Sequence, residues 1–336
     1  MRSRTRFGLV GVLALLAVSM AAPASAVSVG ATRTRWVDDD GRAGPRGCGG
    51  SKAATRHIQS AIDRSDRNDV VIVCPGRYSE EIGIVGRRLA GLTVRAYAKG
   101  TAIVKVPASV TYGPPIWIER VSGVTVQGLA FEFPSTGCDE HSGDLQGVWI
   151  QDADGVRFQG NRFWTSGSDT QGPCGYEDGI RVLSSAHARI ANNIVRDFKS
   201  DGISIEDGSS GKVDGNTIQF YHRASGSEDD GDQGIRVVGG ARAEVTDNLV
   251  RSLSGSGTPH LEIGIIVQDG ARAADIHHNE GPVRRAGAWG ARCTRQAQVQ
   301  RSSSGPAATA CRIFADGAAG IEVLAIRPWV RLWIWS

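Results

Sequence analysis

Bulky side chains are scarce in this 336-residue chain, which has two Met and 6% aromatic residues. With 44 Gly among residues of ordinary hydrophobicity, that scarcity argues against long packed helices and for many turns. No Cys-x-x-Cys pair occurs, which removes the close thiolate spacing of zinc sites. No Gly-rich phosphate loop leads a strand into a helix, so nucleotide chemistry has no support. Beyond the N-terminus, nothing approaches the ~18–20 apolar residues that cross a bilayer. A strong charge of one sign is missing too. The 38 basic and 35 acidic residues leave a formal +3, and its distribution argues against a nucleic-acid partner.

Three of those positive charges, Arg2, Arg4 and Arg6, precede the apolar run Phe7 to Met20 and the small residues Ala24-Ser25-Ala26. This is the pattern of a signal peptide over residues 1–26, which implies a secreted, extracellular product from about Val27. Residues 281–336 hold eight Arg against only Asp316 and Glu322. The stretch between, 27–280, carries 27 basic and 33 acidic side chains, a net −6. Six cysteines suit an oxidising compartment. Pairing in sequence order joins Cys48 to Cys74, Cys138 to Cys174 and Cys293 to Cys311, one of fifteen connectivities.

The glycines fall in a repeat. Gly147-Val-Trp-Ile, Gly179-Ile-Arg-Val, Gly202-Ile-Ser-Ile, Gly234-Ile-Arg-Val and Gly264-Ile-Ile-Val lie 32, 23, 32 and 30 residues apart, with Ile116-Trp-Ile as an earlier copy. Eleven positions after the Gly slot stands an apolar residue: Val126, Phe158, Ile190, Val213 and Val245. At fourteen stands Asn161, Asn193, Asn216 or Asn248, with Asn279 one position late. At sixteen come Phe131, Phe163, Val195, Ile218 and Val250. Each copy thus supplies three short strands with alternating apolar residues, and none buries its inner face alone. Stacking coils ~4.8 Å apart makes a continuous core, a parallel β-solenoid. The Asn is expected in a left-handed turn, bonding the Asn above and below.

Ahead of the repeats, Lys52 to Ser65 places Ile58, Ala61 and Ile62 on one helical face, a cap for the solenoid's open end. The organisation expected is an N-terminal segment with its helix over 27–68, a β-helix of about seven or eight coils over 69–280, and an irregular tail over 281–336. That tail is a cap stapled by its two cysteines, a disordered end, or the product of a changed reading frame.

Trp36-Val-Asp-Asp-Asp40, the helix around Ile58-Gln-Ser-Ala-Ile62, the run Val73-Cys-Pro-Gly-Arg-Tyr-Ser-Glu80 and the Gly-Ile-x-Val copies together resemble the right-handed parallel β-helix, pectin-lyase-like superfamily. The resemblance covers about Trp36 to Glu280 and implies an all-β, right-handed parallel β-helix. Activity stays open, because that superfamily hosts lyases, hydrolases, epimerases and non-catalytic members. The chain has no Arg-x-Pro-x-x-Arg run of pectate lyases and no Asn-Thr-Asp, Gly-His-Gly or Arg-Ile-Lys signature of polygalacturonases.

Strand alternation sets out one outward file of Trp117, Trp149, Arg181, Ser204, Arg236 and Ile266. A second holds Glu119, Gln151, Leu183, Glu206, Val238 and Gln268. Indoles and guanidiniums along ~20 to 25 Å suit an extended acidic polysaccharide, with Trp117, Trp149 and Glu206 as binding residues. Long acidic loops enter at one edge. Asp178 and Asp201, each just before its Gly, would stand roughly 5 Å apart on adjacent coils. Either one keeps its proton, as a general acid must, or a cation neutralises both. Two mechanisms follow. A lyase would hold Ca²⁺ on Glu177, Asp178 and Asp201 and use Arg181 or Arg236 as base. A glycoside hydrolase would use Asp178 and Asp201 as its carboxyl pair. The rival class is a non-catalytic surface or adhesion module. The chain is expected to be a monomer.

Overall fold

The computed structural model describes residues 31–44, 47–110, 112–134, 145–166, 176, 178–198, 200–220, 233–252, 263–267, 270–277, 283–285, 291–292, 309–313, 321–326 and 329–334. The backbone winds as a parallel β-helix. Its three strands per coil fall in three long sheets with strands paired in parallel across successive coils. The sheet of first strands runs through Ile82–Val85, Ile116–Glu119, Val148–Gln151, Ile180–Leu183, Asp201–Glu206, Gln233–Val237 and Ile263–Val267. The sheet of second strands has nine members, from Thr34–Val37 to Arg272–His277. The third sheet has seven, from Gly76–Ser79 to Leu249–Ser252.

Register follows from the repeat, since like residues stack only when the apolar positions coincide. Val126, Phe158, Ile190, Val213 and Val245 are consecutive partners, and so are Phe131 and Phe163, and Val195, Ile218 and Val250. All lie in one buried apolar core. The Gly slot has a steric cause. A Cβ on Gly179 would sit 2.3 Å from the carbonyl oxygen of Gly202 and 2.5 Å from Val195 Cγ1, so only a bare Cα lets the coils approach.

The Asn ladder is present, with its turn geometry corrected. The left-handed residues are those one position earlier, Gly128, Gly160, Asn192, Gly215 and Asp247. The ladder Asn residues point inward instead. Asn161 donates its backbone N–H and its side-chain amide to Asn193 Oδ1 at 2.9 and 3.2 Å, and the pattern continues from Asn193 to Asn216 and from Asn216 to Asn248. Each amide also donates to a backbone carbonyl of the preceding coil, as Asn193 does to Phe158. Asn279 lies outside the described residues.

At the N-terminal end the helix is Ile58–Asp63, shorter than the Lys52–Ser65 expected. Residues Gly47–Ala53 pair antiparallel with Arg42–Gly44 instead, and Cys48 is bonded to Cys74. Hairpin pairing and the disulfide fix that segment before any helix can claim it. Ile58, Ala61 and Ile62 are fully buried in the core, as a cap requires, and Glu80 accepts the first two helical N–H groups at 2.8 Å. The β-helix also starts earlier than residue 69, because Thr34–Val37 pairs with Val70–Val73. Among the described residues the third sheet has seven strands, so seven coils carry all three, within the seven or eight expected, and Thr34–Val37 adds one strand ahead of them.

Residues 1–26 lie outside the described residues, and so do Cys138, Cys174, Cys293 and Glu177. The side chain of Cys311 is not described. Within the tail, the strands Thr309–Ile313, Ile321–Ile326 and Trp329–Ile334 form an antiparallel sheet. No described helix is long and apolar enough to cross a membrane.

Candidate functional site

The outward files occur in the register that alternation implies. Trp117, Trp149, Arg181, Ser204, Arg236 and Ile266 are successive partners, and Glu119, Gln151, Leu183 and Glu206 are the partners two residues on. Gln268 lies outside the described residues.

Near the N-terminal end of this face, Trp117 and Trp149 open a groove of about 220 Å³ with Pro114, Ile118, Glu119 and Gln151. Its floor depends on a glycine. Gly83 is the outward residue one coil before Trp117, and a Cβ there would meet the indole at 2.6 Å. The ring therefore lies against bare backbone. On the far side Arg181 stands 5.7 Å from the Trp149 ring centre, a cation–π distance that joins the groove to the charged residues beyond.

Those charged residues form one network. Arg181 Nη2 donates to Glu206 Oε2 at 2.9 Å, and its Nη1 lies 3.8 Å from Asp178 Oδ2. Arg236 Nη1 donates to Asp201 Oδ2 at 3.2 Å and lies 3.8 Å from Glu206 Oε1. Asp201 N–H donates to Asp178 Oδ1 at 3.3 Å. Asp178, Asp201 and Glu206 are all buried. Glu206, expected to bind substrate directly, instead bridges the two guanidiniums.

Proton positions follow from this geometry. Burial pushes the Asp201 carboxyl up to about 8, the Asp178 charge adds to the rise, and Arg236 only partly offsets it. For Arg181, burial pulls down, but the Glu206 hydrogen bond and the charges of Glu206, Asp178 and Asp201 hold it above its ordinary value. A guanidinium held more firmly protonated is a worse base, which counts against the lyase role given to Arg181. Arg236 is likewise tied to a carboxyl group.

Calcium does not fit the described residues. Asp178 and Asp201 each face a guanidinium within 4 Å, whereas Ca²⁺ takes six to eight oxygen ligands, chiefly ionised or carbonyl, and Glu177, the third ligand expected, lies outside the described residues. Among the described residues, the ligand-type cluster close enough for an ion is Asp38, Cys48 and Cys74, and its sulfurs form the disulfide.

Two members of the site were missed in the sequence. Gln146 and Gln233 occupy the pre-Gly position of Asp178 and Asp201, giving the stacked order Gln146, Asp178, Asp201, Gln233. The signal is the shared register, which puts a neutral amide at the pre-Gly position of the coils on either side of the two acids. Gln146 Oε1, Gln233 Oε1, Ser204 Oγ, Trp149 Nε1, Glu206 Oε1 and the Nε of both arginines are buried atoms without a hydrogen-bond partner. Unpaired buried polar atoms cost about 1–3 kcal/mol each and concentrate where a fold is built for something other than stability. His187 is 80% exposed beside Asp154, and His57 is also exposed, so neither belongs to this face. His141 and His260, the loop histidines, lie outside the described residues.

Comparison with known proteins bears on the architecture. The family model described as "Right handed beta helix region" matches residues 94–250 and 178–325. No functionally curated protein matches the sequence. The pectin methylesterase PemA from Erwinia chrysanthemi is 12% identical with a TM-score of 0.45, over 75% of this chain and 82% of that one. The catalytic domain of a GH87 α-1,3-glucanase in complex with nigerose is 14% identical with a TM-score of 0.33, over 66% of this chain and 44% of that one. Likeness at this level says nothing of chemistry. Wound from three parallel sheets and matched across most of its repeats, the chain belongs to the family described as the right handed beta helix region.

Proposed function

We propose that the first-strand face binds an extended polysaccharide outside the cell and hydrolyses it with Asp201 as general acid and Asp178 as its carboxylate partner. One observation carries the reading: two buried carboxyls, Asp178 and Asp201, stand on adjacent coils in one network, the Asp201 N–H donating to Asp178 Oδ1, and that network reaches through Arg181 to a groove walled by indoles. Paired carboxyls whose environments separate their proton affinities divide into acid and base or nucleophile. Trp117 and Trp149 offer ring faces for pyranose stacking. Arg236 and Arg181 orient the two carboxyls.

A second reading has its own support. Asp201 is only 2% exposed and its ion pairs close over it, which suits a non-catalytic binding module stabilised by a buried polar network. Incubating the mature protein with polysaccharides and assaying new reducing ends, unsaturated ends and released acyl or alkyl groups separates the two. Hydrolysis predicts new reducing ends that fall at least ~100-fold in Asp201→Asn and Asp178→Asn. Binding that survives both substitutions, with no product formed, favours the module and overturns the catalytic reading.

A further inference from the structure

We infer that this face selects a neutral saccharide and rejects uronate chains. The inference rests on the saccharide-binding reading above and adds the substrate class. The polysaccharide suggested by sequence was acidic because two guanidiniums stand in file beyond two indoles. The geometry changes their meaning. Arg181 is held by Glu206 and Asp178, Arg236 by Asp201 and Glu206, and beside the groove Arg120 Nη2 lies 2.6 Å from Glu119 Oε1. Three described guanidiniums thus face four described carboxyls, each cation already against a protein acid. A uronate carboxylate would have to displace one of those acids, and the displaced acid would then lie buried without its partner.

The groove itself offers what neutral sugars need. Its lining of Pro114, Trp117, Ile118, Glu119, Trp149 and Gln151 is apolar and aromatic with an amide and a single carboxylate. Sugar hydroxyls donate and accept hydrogen bonds, so they match the Gln151 amide and the Glu119 carboxylate. A second acid source surrounds it. The turn residues after the first strands include Asp152 and Asp207, both left-handed and exposed. The field around this face is therefore negative, and it weakens anion binding in a salt-dependent way.

Binding measured by tryptophan fluorescence and calorimetry tests this, with neutral hexasaccharides (cello-, xylo- and malto- and α-1,3-gluco-hexaose) against hexagalacturonate and hexamannuronate. The expected result is at least tenfold tighter binding of one neutral hexamer than of either uronate, with residual uronate binding strengthened by added salt. Trp149→Ala should abolish the neutral binding. Asp152→Asn, an isosteric change at an exposed left-handed turn outside the groove lining, should leave it within about twofold while raising uronate affinity, which keeps the test decisive if the Trp variant fails to fold. A uronate that binds as tightly as the neutral hexamers, or whose binding weakens with salt, overturns the inference while sparing the saccharide reading. No binding by any hexamer overturns both.

Discussion

Two stacks of polar residues run along this solenoid, and they differ in how completely they are paired. The Asn ladder from Asn161 to Asn248 is buried at 1% exposure, yet each amide both donates and accepts within the fold. The first-strand face is also largely buried at Asp178, Asp201, Ser204 and Glu206, but among the described residues seven of its buried polar atoms make no hydrogen bond. Similar burial with opposite satisfaction means different causes. The ladder exists because a turn entering a sheet exposes backbone N–H and C=O groups that only a side-chain amide can satisfy. The face carries polar groups that coil winding does not need, since Ile266 occupies the same file without them.

Breaking the ladder should have the largest effect on stability. Asn193→Ala removes the acceptor of the Asn161 N–H and one acceptor of its amide, and the donor to Phe158 and Asn216, so buried groups on the two neighbouring coils lose partners. At about 1–3 kcal/mol per buried unpaired group, partly relieved by relaxation, we expect a loss of about 3–5 kcal/mol in urea unfolding. Ser204→Ala, which removes an already unpaired hydroxyl, should cost under about 1 kcal/mol. Equal losses at the two sites would erase the distinction between them.

Most of the fold was legible in sequence because the repeat encodes it residue by residue. A Gly that only a bare Cα can fill, an apolar residue every third strand and an Asn at each turn leave one stacking register. The outward file, and with it the adjacency of Asp178, Asp201, Arg181 and Arg236, followed from the same count. What the sequence did not reveal was who pairs with whom. Glu206 reads as a substrate ligand until its carboxylate is seen between two guanidiniums, and the arginines read as anion receptors until their partners are counted. Alternation gives a side chain's direction and not its reach across coils. The short helix was misjudged for a related reason: nothing in 47–53 announces pairing with 42–44, which is a tertiary choice.

Acidity offers a sharper test of the face. Because the folded Asp201 carboxyl titrates at about 8 against about 3.9 when unfolded, the native state binds the extra proton between those values. Stability from this group is therefore full below about pH 3.9 and is lost as pH rises towards 8, with a limiting slope of about 1.4 kcal/mol per pH unit. Asp201→Asn removes the ionisation, so its urea midpoint should fall less than that of the parent between pH 5 and 8, and at pH 8 it should match or exceed it. Turnover should move oppositely, high in the parent up to about pH 8 and absent in the variant. A parallel pH dependence in the two proteins would mean that the Asp201 carboxyl is not raised by folding.

The smallest expected effect concerns the residue without a side chain. Gly83 has ordinary backbone angles, so alanine there carries no conformational penalty, and its Cβ would point out of the solenoid at the Trp117 ring, 2.6 Å away. Only the indole can yield, being the free end of a side chain, so it must tilt off the strand and narrow the groove against Trp149. Thermal unfolding of Gly83→Ala should stay within a few degrees of the parent, since the core residues Ile82 and Ile84 on either side are untouched. Saccharide affinity should fall about three- to tenfold, roughly 0.7–1.4 kcal/mol, with a changed tryptophan emission. An unchanged affinity would mean that the indole floor is packing alone, and the face would then resemble the ladder after all: polar and aromatic groups placed for the solenoid's own sake.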